Sequence, residues 1–158
     1  RPCGNPRSSD LGDYRRDWLL LRLEKCLAKG APVFALASNL VQGSVASAGY
    51  PADLRGAVVE RKCRIHSFSF GGLQHDCAGY PGSSGSPIFV RGSSGTPVVV
   101  AIQAAGNKSR SPEPFRIDRA NLAAPVAGLA AALERDNDRL QLCHCDVARS
   151  FLAETSGL

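Results

Sequence analysis

Methionine is absent from this sequence and tryptophan occurs once. A chain without methionine does not begin at an initiator codon, so Arg1 is expected to follow something removed or left out, any signal peptide included. Long apolar runs are missing too. The richest stretch, Asn121 to Leu133, is broken by Pro125 and Gly128, short of the roughly eighteen apolar residues that a spanning helix needs. A soluble protein with no membrane partner is expected. Aromatics are few (six Phe, three Tyr, one Trp), and the net charge of +5 is spread along the chain, densest at Arg15-Arg16 and Lys108-Ser109-Arg110. That balance describes a solvated surface rather than a nucleic-acid interface, which would cluster its basic residues. Paired Cys-x-x-Cys knuckles are also missing. The six cysteines, Cys3, Cys26, Cys63, Cys77, Cys143 and Cys145, form an even, irregularly spaced set that argues for disulfides in an oxidising compartment, with no metal and no other cofactor expected.

What is present is enough for one ordinary domain, or two small ones sharing a core: 158 residues, 44% of them apolar. Gly and Pro punctuate the middle of the chain about every eight to twelve residues, separating short runs of Val, Ile, Phe and Ala. This is the pattern of an all-β barrel or sandwich. Strands are expected near Trp18 to Leu23, Val33 to Leu36, Ser44 to Gly49, Ala57 to Ile65, Ser86 to Arg91, Val98 to Ala104 and Phe115 to Asp118. Turns are expected at Gly30, Tyr50-Pro51, Gly71-Gly72, Gly79 to Gly85 and Gly92 to Gly95. One helix is expected to start near Asn121, a good capping residue, and to carry Leu122, Val126, Leu129, Ala130 and Leu133 at helical spacing. The first thirty residues offer a single strand with no partner, and the tail from Glu134 carries Cys143-His144-Cys145 without an assignable role.

The stretch richest in chemistry runs from Asp76 through Gly82-Ser83-Ser84-Gly85-Ser86-Pro87 to Phe89. A serine between glycines lets backbone approach a substrate carbonyl, and successive amides in such a turn can point together at a developing oxyanion. Ser84 is the candidate nucleophile. The plainer reading is a Gly/Ser turn joining two strands.

Gly82-Ser83-Ser84-Gly85-Ser86-Pro87 followed by Ile88-Phe89 resembles the nucleophile motif of trypsin-like serine peptidases, in the form found in bacterial and glutamyl-endopeptidase-like members. Other segments match in the same order. Asp17-Trp18-Leu19-Leu20-Leu21-Arg22-Leu23 is similar to the strand that bears the catalytic aspartate, with Leu19 where Ala is usual. Gly49-Tyr50-Pro51 resembles a turn of the bacterial branch. Val99-Val100-Ala101-Ile102-Gln103-Ala104-Ala105-Gly106 resembles the strand that pairs with substrate, and Asn121 to Val126 the approach to the closing helix. The resemblance covers about Asp17 to Leu133. It implies an all-β double β-barrel, with residues 1–32 a remnant of the N-terminal barrel, 33–134 the C-terminal barrel and closing helix, and 135–158 a tail of unknown role.

On this resemblance Ser84 attacks the scissile carbonyl, the amides of Gly82 and Ser84 form the oxyanion hole, and Asp17 supports the imidazole that accepts the Ser84 proton. Ala78 to Pro81 and the run Gln103, Ala104, Ala105 and Gly106 line the pocket for the side chain preceding the cut. The family runs His, Asp, Ser along the chain, and no histidine precedes Asp17. The base is therefore expected upstream of Arg1, and the chain as it stands is expected to be nearly inactive. His66, His75 and His144 are the weaker alternatives. Cys63 and Cys77 flank the hairpin turning at Gly71-Gly72, so a disulfide between them is expected. The remaining four cysteines allow three pairings. A pocket without a carboxylate disfavours Arg or Lys unless Asp76 turns inward, and Gln103 in place of a histidine disfavours acidic side chains; small or apolar ones are left. The expectation is a secreted or periplasmic, monomeric serine endopeptidase acting on polypeptides. The alternatives are a noncatalytic peptide-binding homologue and a structural β domain with a coincidental Gly-Ser turn.

Overall fold

The computed structural model of the chain describes residues 14–18, 34–52, 54–69, 72–106 and 120–136. Seven strands follow a short 3-10 turn at Tyr14–Arg16: β1 (Ala35–Leu36), β2 (Gly43–Gly49), β3 (Val58–Ser69), β4 (Gly72–His75), β5 (Pro87–Arg91), β6 (Pro97–Ala105) and β7 (Asn121–Pro125), with one helix, α1 (Ala127–Asp136). They form one sheet in the order β1-β6-β5-β2-β3-β4-β7, and β7 pairs back onto β6. The fold is all-β, a partly closed ring of strands. Every pairing is antiparallel except that of β1, which runs parallel to β6 with Ala35 opposite Val98.

The ring curls around a small apolar core that includes Val45, Ile65, Leu73, Ile88, Val100 and Ala123. β6 supplies a continuous buried run, Val98 to Ala101, as expected of a strand bonded on both sides. β2 is the instructive case, because Gly-Ser-Val-Ala-Ser-Ala-Gly has little intrinsic strand preference. It is held by β3 along its length and by β5 at Ala46 and Ser47, and its small residues let neighbours come close. A Cβ at Gly49 would collide with the Ser86 hydroxyl.

Most expected strands are found with shifted ends. β3 runs on to Ser69 rather than stopping at Ile65, past a bulge between Ile65 and Ser67. Gly72 opens β4 rather than completing a turn. Trp18 is half-buried in irregular chain. The rest of the strand expected at Trp18 to Leu23, the one at Phe115 to Asp118, and nearly all of segments 1–32 and 135–158 lie outside the described residues.

The helix does not begin at Asn121. Residues Asn121 to Pro125 form β7, inserted between β4 and β6, and α1 starts at Ala127. Pro125 pushes Ala124 away from helical backbone angles, while the strand pairings satisfy backbone groups that a helix beginning there would have left to water. Val126, Leu129 and Ala130 of the expected apolar face are buried as the helical spacing required.

Candidate functional site

The Ser84 turn is built by two left-handed glycines and clamped to β6. Gly82 has φ +84° and Gly85 φ +87°, conformations that cost a side-chain-bearing residue about 1–2 kcal/mol. Within the turn, the Ser83 N–H donates to Tyr80 O (3.0 Å) and the Ser86 N–H to Ser83 O (3.0 Å). Across to β6, the Gly85 N–H donates to Gln103 O (2.8 Å) and the Gln103 N–H to Ser86 O (2.9 Å). Ser84 is left exposed between buried Ser83 and Ser86, and its hydroxyl donates to Ala104 O at 3.3 Å. Gly82 is also wedged against the loop after β2: the Ala52 N–H donates to Pro81 O (2.8 Å), and a Cβ on Gly82 would lie 2.8 Å from that same nitrogen. Among the described residues, neither the Gly82 nor the Ser84 amide donates to another backbone group.

The segment leading into the turn is braced from three sides. Cys77 is disulfide-bonded to Cys63, the pairing expected from the hairpin. The Ala78 N–H donates to Glu60 Oε2 of β3 at 2.6 Å, and Cys77 O accepts from Asn121 Nδ2 at 2.5 Å. Sequence reasoning missed Glu60 and Asn121. Glu60 sits in an ordinary strand, where nothing local marks it, and Asn121 was read as a helix cap.

Asp76 is held within the β3–β4 hairpin. Its Oδ1 accepts the Arg64 N–H at 2.6 Å and its Oδ2 lies 2.6 Å from His66 Nε2, so this carboxylate and imidazole serve each other on the β3–β4 hairpin. His75 is fully buried on β4, directly opposite Ile65 on one side and Asn121 on the other. Among the described residues its ring nitrogens meet no partner with hydrogen-bonding geometry, and burial pulls its pKa down to about 4, against weaker opposing effects from a Leu122 backbone group and Asp76. It is a neutral imidazole at ordinary pH. Neither histidine has a hydrogen bond to Ser84 among those described, and His144 lies outside the described residues.

Asp17 is exposed, immediately after the 3-10 turn that packs on β7 and β4, with its N–H donating to Tyr14 O (3.2 Å). Among the described residues no hydrogen bond or ion pair joins it to Ser84. Of the expected pocket residues, Ala78 and Ala104 to Gly106 are half-buried or exposed. Gln103 is buried, its Nε2 donating to Ala105 O at 3.1 Å. That bond fixes which end of the amide is nitrogen, and leaves Oε1 buried without a donor among the described residues. No group of three or more His, Cys, Asp or Glu side chains that could hold a metal ion occurs among the described residues. No helix among them is long and apolar enough to cross a membrane.

Comparison with known proteins leaves this geometry to speak for itself: no family model, no curated protein and no solved structure matches the chain.

Proposed function

We propose that the Ser84 turn is the nucleophile site of a serine endopeptidase with the trypsin-like double-barrel architecture, of which the strand ring is the C-terminal barrel. One observation carries this reading. Ser84 is exposed at the tip of a turn whose neighbours Gly82 and Gly85 are both left-handed and whose base is hydrogen-bonded to Gln103, so the hydroxyl is presented on a rigid platform. A plain connecting turn has no need of two such bonds to a neighbouring strand, nor of a glycine pressed against Ala52.

In the proposed reaction Ser84 Oγ attacks the carbonyl carbon of the scissile peptide bond and its proton passes to an imidazole. The Gly82 and Ser84 amides, which have no backbone acceptor among the described residues, stabilise the oxyanion, and Asp17 orients the imidazole. The imidazole then protonates the leaving amine, and water releases the acyl group. The reading requires a histidine other than His66, which is committed to Asp76, and other than His75, which is buried. The substrate is a polypeptide, and the enzyme works as a monomer outside the cytoplasm, in keeping with the Cys63–Cys77 disulfide.

A second reading, a noncatalytic peptide-binding module using the same groove, is favoured by a different observation: the Ser84 hydroxyl donates to Ala104 O, and no base among the described residues accepts it. Labelling separates the two. The full-length product of the gene is expected to react with a fluorophosphonate at Ser84 and to cleave unfolded polypeptide, and Ser84→Ala is expected to abolish both. A folded protein of that length which contains the additional histidine and stays unlabelled refutes the peptidase and leaves the binding module.

A further inference from the structure

We propose that Asn121 closes the pocket beside Ser84 and thereby restricts the residue preceding the cut to the size of glycine or alanine. The inference rests on the peptidase reading above and specifies its substrate class. The two walls expected to flank that side chain, Ala78 to Pro81 and Gln103 to Gly106, do not stand apart. A Cβ on Gly106 would lie 3.1 Å from both the Cα and the carbonyl oxygen of Gly79, so the two backbones are already in van der Waals contact.

Asn121 occupies what space remains. A Cβ on Gly79 would come within 2.9 Å of Asn121 Oδ1 and 3.0 Å of its Cγ and Nδ2, and a Cβ on Gly106 within 3.2 Å of the same Oδ1. The amide is only 2% exposed and cannot swing aside freely, because Nδ2 is held by Cys77 O at 2.5 Å. Gly79 is therefore required by the Asn121 side chain, a side chain at Gly106 would be tight against both Gly79 and Asn121, and the three residues form a floor at the approach to the nucleophile turn. A leucine or phenylalanine entering there must break the Asn121–Cys77 bond and separate two touching backbones. An alanine methyl needs neither. The floor is also uncharged, so no ion pair compensates a lysine or glutamate for losing its water.

The test uses the full-length product of the gene, carrying Ser84→Ala to prevent turnover. Fluorescent peptides differ only in the residue before the expected cut: Gly, Ala, Val, Leu or Phe. The Gly and Ala peptides are expected to share one Kd, with Leu and Phe weaker by about tenfold or more. Asn121→Ala is expected to narrow that gap by tightening Leu more than Ala. Equal affinity for Ala and Phe peptides in the protein that retains Asn121 overturns the inference without touching the chemistry at Ser84. Failure of every peptide to bind overturns it as well, and fluorophosphonate labelling of the parent then reports whether the peptidase reading falls with it. Should Asn121→Ala not fold, the peptide series on the protein retaining Asn121 decides alone.

Discussion

Two glycines of one turn separate conformational from steric demand. Gly82 and Gly85 share nearly the same left-handed φ, but a Cβ at Gly82 meets Ala52 while one at Gly85 meets nothing within 4 Å. Gly85→Ala is therefore expected to cost only the left-handed penalty, about 1–2 kcal/mol. Gly82→Ala should cost more, because the Ala52 backbone must move and take its bond to Pro81 with it. Urea unfolding midpoints of the two variants give the comparison, and equal losses would contradict the close approach at Ala52. His75 makes a second prediction at this scale. Its folded pKa, about 4, lies below the ordinary value of 6.5, so between those values the unfolded chain binds more protons and stability rises with pH. The contribution is complete above pH 6.5 and is lost as pH falls toward 4, where the deficit reaches about 3 kcal/mol at 1.36 kcal/mol per pH unit. Replacing His75 by leucine should flatten this part of the profile of unfolding free energy against pH. An unchanged slope would mean that other groups carry the acid sensitivity.

Among the elements, the β3–β4 hairpin does the most to position the site. Its strands are tied by the Cys63–Cys77 bond at a separation of 14 residues, by the Asp76 contacts to Arg64 and His66, and by Glu60 reaching the Ala78 amide. Closing a loop of this size stabilises the fold by about 3 kcal/mol on chain-entropy grounds. Reduction under mild denaturant, or Cys63→Ser with Cys77→Ser, is expected to lower the unfolding free energy by about that amount, and a loss well under 1 kcal/mol would show that the hairpin bonds suffice. The hairpin was legible in outline, since the glycines at 71 and 72 and the flanking cysteines announce it. β7 was not. Asn121 followed by Leu122, Val126, Leu129 and Ala130 satisfies a capped amphipathic helix locally, and only the open edges of β4 and β6, strands distant in sequence, draw its first five residues into the sheet.

For the whole molecule, ring closure makes β6 the axis. It pairs with β5, with β7 and, in parallel, with β1, so its central amides open only when several elements separate together. Native-state hydrogen exchange is expected to show the slowest amides within Val99 to Gln103 and much faster exchange at the two-residue β1. Exchange of β6 at the β1 rate would mean that the ring does not act as one cooperative unit.

The sequence by itself determined the all-β class, the approximate places of β2, β3, β5 and β6, the cysteine pair and the exposed serine turn. Each of these is written in local signals: alternation, β-branched runs, and glycines where backbone must turn left-handed. Only the tertiary structure decided that Asn121 belongs to a strand, that Asp76 serves His66, that His75 is sealed and neutral, and that Gly79 and Gly106 touch. The reason is physical. Those facts depend on which residues far apart in the chain come to share a sheet edge or an interior face, and burial and contact across a closed ring leave no periodic trace in the sequence of any one strand.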